Sequence, residues 1–184
     1  SSQSLYTNRK VHIMKTISAA LLHLFFMANL QWLPLASADN RPSDFVVCWA
    51  DDKDQNGYYE IFMAGFSNSG QKVLADLTVN SASSGQQKEP QVSLNEYDEA
   101  VVVWEDDKDK NGYWQIHARG IETTTGDSVF SDIVVNVEGS GQQVNPDIAS
   151  DPRGNFVAVW QDDKDMNGYW QIYARGFYWD GKER

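Results

Sequence analysis

The stretch DDKDQNGYYEI, Asp51 to Ile61, returns as DDKDKNGYWQI at Asp106 to Ile116 and as DDKDMNGYWQI at Asp162 to Ile172. Recurrence at a fixed period makes the repeat, rather than any single residue, the unit of folding. Working outward, FVVCWADD, AVVVWEDD and FVAVWQDD align without gaps on Trp49, Trp104 and Trp160, which stand 55 and 56 residues apart. The register continues through GQQKEPQV at Gly85 to Val92 and GQQVNPDI at Gly141 to Ile148. It also holds for TVN ending at Asn80 and VVN ending at Asn136.

Each unit reads as four short strands. The first is PQVSL or PDIAS, and the second is the run that ends in the Trp. That second strand is apolar on both faces, Phe45, Val47 and Trp49 pointing one way and Val46 and Cys48 the other, the pattern of a strand covered on both sides. The third, YYEIFMAG, YWQIHARG or YWQIYARG, alternates: Tyr59, Ile61 and Met63 share one face, Glu60, Phe62 and Ala64 the other. The fourth is KVLADLTVN or SVFSDIVVN. Gly, Pro, Asn and Ser clusters punctuate the strands. Gln86, Gln87, Gln142 and Gln143 read as a recurring turn between strands, with Asn80 and Asn136 capping it.

The expected fold is all-β: four-stranded antiparallel repeats of about 55 residues, forming a partial β-propeller of about 2.5 blades, each sheet covered by its neighbours. Sandwiches need about 100 residues per unit and solenoid coils are shorter than this one. Counting strands predicts three in repeat 1 (39–80), four in repeat 2 (81–136) and three in repeat 3 (137–184). A propeller closes with at least about four blades. The chain is therefore either a piece of a longer repeat protein or one that assembles with others to complete a ring, and its open strand edges predict self-association.

Residues 1–13 read as an upstream segment. Met14 and Lys15 open an apolar run that closes on Ala36-Ser37-Ala38, so residues 14–38 read as a signal peptide, with a membrane anchor as the alternative. The expected mature domain, 39–184, is secreted or at the cell surface, with no membrane insertion after cleavage. It keeps 12 Lys and Arg against 26 Asp and Glu, a net charge of −14. That balance excludes nucleic acid as a partner and suits bound cations. One cysteine, Cys48, allows no intrachain disulfide, and its equivalents Val103 and Val159 mark it as a buried small residue.

Between the second and third strands lies D-x-D-x-N-G, with oxygen-bearing side chains at alternate positions. Such a loop can fold its oxygens around one hard cation, Gly permitting the turn. The candidate calcium donors are Asp52, Asp54, Asn56, the Tyr58 carbonyl and Glu60; Asp107, Asp109, Asn111, Tyr113 and Gln115; and Asp163, Asp165, Asn167, Tyr169 and Gln171. The competing reading is a hairpin turn with solvated carboxylates, for which Asn-Gly suffices. No helix flanks the loop, and the twelfth place holds Met63, Ala118 or Ala174, so it is not an EF-hand.

The order D-x-D-x-N-G, with an acid or amide at the ninth place, resembles the calcium hairpins of integrin-type (FG-GAP) propellers. The wider unit, from Gln-Gln and Pro to I-x-ARG-F, looks like repeats of large secreted or surface bacterial proteins. The resemblance spans nearly all of residues 45 to 184. It implies a calcium-stabilised propeller in a binding or adhesion role, with a glycan or protein surface as partner. The usual ninth-place carboxylate is Gln115 and Gln171 in two loops, which lowers ligand charge and predicts weak sites, with dissociation constants on the order of 10⁻⁴ to 10⁻³ M.

Trp49, Trp104 and Trp160 read as core. Tyr59, Trp114 and Trp170 beside the loops, with Arg119 and Arg175, are the candidate ligand contacts. Past residue 38, His117 stands alone, so Ser-His-Asp chemistry has little support. The carboxylate pairs recur by repeat, unlike a single asymmetric catalytic site. A non-catalytic module is therefore expected; the alternative is a piece of a propeller-bearing secreted hydrolase whose catalytic residues lie elsewhere.

Overall fold

The computed structural model describes residues 43–81, 84–137 and 140–184. The upstream segment and the signal peptide lie outside the described residues. Among those described, ten strands and no helix form the fold: β1(Phe45–Asp51), β2(Glu60–Phe66), β3(Lys72–Thr78), β4(Gln86–Leu94), β5(Glu99–Asp107), β6(Gln115–Glu122), β7(Ser128–Val134), β8(Gln142–Ser150), β9(Phe156–Asp163) and β10(Gln171–Phe177). Accordingly, no helix in this part of the chain is long and apolar enough to cross a membrane.

The strands form three antiparallel sheets, β1-β2-β3, β4-β5-β6-β7 and β8-β9-β10, the three, four and three strands expected. Hairpin register repeats as faithfully as the sequence does. β1 pairs with β2 from Phe45↔Phe66 to Asp51↔Glu60. β5 pairs with β6 from Glu99↔Glu122 to Asp106↔Gln115. β9 pairs with β10 from Phe156↔Phe177 to Asp162↔Gln171. Each hairpin therefore turns at its acidic loop.

Of the two-sided apolar strands only β5 finds partners on both sides; β1 and β9 each bury one face, leaving Phe45, Val47 and Trp49 half-buried and Val157 exposed. One face of the first sheet, Val46, Cys48, Ile61 and Met63, packs with Ala100, Val102 and Trp104 of the second. The other face of the second sheet, Val101, Val103, Ile116 and Ala118, packs with Phe156, Ala158 and Trp160 of the third. Fully burying each such aliphatic side chain contributes about 1.5–3 kcal/mol, so these two layers supply the main driving force. Trp104 and Trp160 are buried core as expected, whereas Trp49 is half-buried. Cys48 is buried, and desolvation pushes its thiol up to about 12, leaving it a small apolar residue.

Two expectations are corrected in the strands that open the second and third sheets. The Gln-Gln pairs are not turns: Gln86 and Gln87 open β4 opposite Asp107 and Asp106, and Gln142 and Gln143 open β8 opposite Asp163 and Asp162. Pro90 and Pro146 had suggested a strand start. Instead the register shifts between Lys88 and Gln91 and between Val144 and Asp147, where Glu89 and Asn145 take φ of 51° and 53°. A bulge accommodates a residue without an N–H inside a strand, so the strand runs on through the proline.

Candidate cation loops and their supports

The three D-x-D-x-N-G loops share one hydrogen-bond plan. Gln55, Lys110 and Met166 occupy the left-handed region at φ 58°, 58° and 53°, and their N–H groups donate to the carbonyls of Asp52, Asp107 and Asp163. The leading carboxylates accept from the glycine N–H five residues later: Gly57 to Asp52 Oδ2 and Gly112 to Asp107 Oδ1, both 3.1 Å, and Gly168 to Asp163 Oδ2, 3.1 Å. Next, Asn56, Asn111 and Asn167 donate Nδ2–H to Asp54, Asp109 and Asp165 at 2.8, 2.7 and 2.7 Å. Their Oδ1 atoms accept from Tyr58, Tyr113 and Tyr169 N–H at 2.7, 2.7 and 2.8 Å. Inward N–H groups thus offset part of the repulsion between two carboxylates in one short loop.

The donor set fits a hard cation in part. Asp52 Oδ1 is buried with no hydrogen-bond partner, an oxygen whose desolvation nothing in the described chain repays. Among the described residues no three His, Cys, Asp or Glu side chains converge on one metal position, so each loop offers two carboxylates and a carboxamide. All-oxygen donors of that kind suit calcium rather than zinc. At the ninth place Gln115 Oε1 accepts from Asn136 Nδ2 at 2.7 Å, and Gln171 Oε1 accepts from the Tyr173 hydroxyl at 3.4 Å. Only Glu60 brings a charge there.

The loops are held from the following sheet. Gln86 accepts from Tyr59 N–H (3.1 Å) and donates to the Gly57 carbonyl (2.8 Å), while Gln87 N–H donates to the Tyr59 carbonyl (3.0 Å). One period on, Gln142 accepts from Trp114 N–H (3.2 Å) and donates to Gly112 (2.9 Å), and Gln143 N–H donates to Trp114 (3.0 Å). The buried side chains of Gln87 and Gln143 each take an N–H from Asn80 or Asn136 at 3.3 Å. Those asparagines also accept from Ile61 and Ile116 N–H at 2.7 and 2.8 Å. They therefore tie strands to the next sheet rather than cap a turn.

In the second and third units the first Asp of the pair has a different task that reading the sequence missed. Asp106 and Asp162 accept the indole N–H of Trp104 and Trp160 at 3.0 and 3.1 Å, and the loop N–H of Lys108 and Lys164 at 2.7 and 2.8 Å. The available signal was the constant Trp-x-Asp spacing.

The candidate ligand contacts separate. Tyr59 and Trp170 are 49% and 47% exposed, but Trp114 is half-buried beneath Lys88, whose Nζ lies 4.0 Å from the ring centre and 3.2 Å from Glu105. Lys110 Nζ reaches back to the Tyr58 hydroxyl at 3.1 Å, joining the first two loops. Arg119 donates to the Val79 carbonyl at 2.7 Å and faces Asp132 at 3.7 Å. Arg175 donates to the Val135 carbonyl at 2.8 Å and pairs with Glu183. Both guanidinium groups are struts between sheets, and Arg175 also lines a cleft of about 380 Å³ with Trp160, Lys164 and Tyr173.

A buried ionisable group marks the second unit. His117 stands where the other units carry Phe62 and Tyr173, and each ring packs on its strand-partner Trp at 5.8, 6.0 and 6.1 Å. Burial pushes the His117 imidazole below its ordinary value; Asp106, 4.0 Å away, and Asp132 pull it up, and Lys108 pushes it down. The fold thus holds a neutral ring where the unfolded chain binds a proton. Its stability is full above about pH 6.5 and is lost as pH falls below that value. Glu105, raised chiefly by burial, has the opposite sign: its contribution is full below about pH 4.5 and is lost as pH rises through its raised value. His117→Phe is expected to flatten the fall in urea midpoint between pH 6.5 and about 5, relative to the parent; an unchanged slope would place the acid sensitivity elsewhere.

The chain matches no protein family and no curated protein.

Proposed function

We propose that the chain is a secreted, non-catalytic repeat module of β-propeller type, stabilised by calcium in its three acidic loops, that binds a glycan or protein surface. What carries the reading is the threefold recurrence of one loop plan around two carboxylates, with the buried, partnerless Asp52 Oδ1. A turn alone needs no pair of acids at fixed alternate places. Stacking of the second sheet against a neighbour on each face supports the blade arrangement, and a net charge of −11 supports cation binding. Bound ion would neutralise Asp52 and Asp54, Asp107 and Asp109, Asp163 and Asp165, and stiffen the rim that carries Tyr59 and Trp170.

The test is thermal unfolding in calcium and then in chelator, beside a triple variant Asp54→Ala, Asp109→Ala and Asp165→Ala. At tenfold excess over its dissociation constant each site adds about 1.4 kcal/mol. Each kcal/mol raises the midpoint by roughly 2–4 °C in a domain of this size. The parent is expected to gain that rise and the variant to lose it. Equal midpoints with calcium and chelator would reduce the loops to turns.

A further inference from the structure

The third sheet repeats the residues of the first two, yet one of its faces is open. Ile61 and Ile116 are 0% exposed and Ile172, the same position of the repeat, is 72% exposed. Val101 is 5% exposed and its equivalent Val157 is 46% exposed. Ala118 is buried and Ala174 is exposed. In the first two units the following sheet covers this face, and its Gln-Gln strand clasps the loop at Gly57 and Tyr59 or at Gly112 and Trp114. The chain contains two Gln-Gln pairs, and both are engaged in this way, leaving none for Gly168 and Trp170.

We propose that the face formed by Val157, Ile172 and Ala174, with the loop edge at Gly168 and Trp170, docks a further β-sheet unit whose leading strand carries Gly-Gln-Gln. The occupant is identified by the interface that the chain itself makes twice: apolar residues on the sheet face and a carboxamide that both donates to and accepts from the loop backbone. Nearest-neighbour interfaces of repeat proteins transfer from one junction to the next because each unit contacts only its neighbours. A second copy of the chain does not fit, since both of its Gln-Gln strands are already engaged within it. The inference is independent of any ion in the loops.

The turn from Tyr178 to Lys182 copies that from Ser67 to Gln71, each closed by an N–H to carbonyl bond of 2.8 Å, and Arg184 N–H then donates to Gly176. Glu183 thereby bridges Phe177 as Lys72 pairs with Phe66. A copy of residues 130–184 joined after Arg184 continues this register and is the probe. Hydrogen exchange of the Trp170 amide is the readout. It is expected to slow at least tenfold on adding the copy, to the rate of Trp114 in the parent. Replacing the copied Gln142 with Ala, or Ile172→Asp in the original segment, is expected to restore fast exchange. Ile172→Asp alone leaves the parent folded, because the side chain is in solvent. The proposal is overturned if Trp170 exchange is unchanged by the copy, if the copy does not fold there, or if the Gln variant protects equally. Concentration-dependent protection of Trp170 in the parent alone would overturn it in favour of self-association.

Discussion

Ile116→Asp is expected to unfold the chain at room temperature, whereas Ile172→Asp, at the same position of the next repeat, shifts the urea midpoint by less than about 0.5 kcal/mol equivalent. Ile116 lies fully buried between the second and third sheets, among Val135, Ile148 and Phe156. Truncating a buried Ile costs about 2–5 kcal/mol, and an unpaired carboxyl in the same place adds its desolvation. The sum approaches the ~5–15 kcal/mol that holds a typical domain together. At Ile172 the carboxylate meets water and neither cost arises. Circular dichroism of the two variants against urea decides it, and similar losses in both would mean that the third sheet is covered in solution.

The second large effect is at Gly141. Its φ is +71°, and an added Cβ meets the Asp163 carbonyl oxygen at 2.2 Å and Lys164 Cα at 2.6 Å, both main-chain atoms. Gly85 meets Asp107 and Lys108 in the same way at 2.1 and 2.7 Å. Since backbone cannot swing aside as a flexible side chain does, Gly141→Ala must displace the start of β8. That start carries Gln142 and Gln143, so the clasp on the second loop is lost with it. A loss of roughly 3 kcal/mol or more is expected. Gly168→Ala is the control. It has φ +81° but nothing within 4 Å of the added atom, and costs only the left-handed penalty of about 1–2 kcal/mol. If the two alanine variants have equal midpoints, the close approach at Gly141 does not constrain the fold.

Together these substitutions separate what a position is by sequence from what it is by neighbourhood. Within a unit the two agree: Ile61, Ile116 and Ile172 all lie on one face of the third strand of their repeat, as alternation predicts. Between units they part. The loop carboxylates were legible because alternating acids before Asn-Gly have few uses, and their backbone partners lie within five residues. The partner of Asp106 was two residues away and was still missed, because Trp104 read as purely apolar core.

By itself the sequence determined the period, the ten strands, their division into sheets of three, four and three, and which residues alternate across each strand. These follow from local causes: side chains on a strand repeat every two residues, and Gly, Asn and Pro punctuate the turns. Only the tertiary structure decided that Gln86 and Gln142 belong to strands and clasp a loop 29 and 30 residues back. The same holds for Arg119 and Arg175, which brace carbonyls 40 residues earlier, and for Ile172, left in water while its equivalents are buried. Each of these depends on which sheet comes to lie against which, a matter of packing between units that no window on one repeat contains.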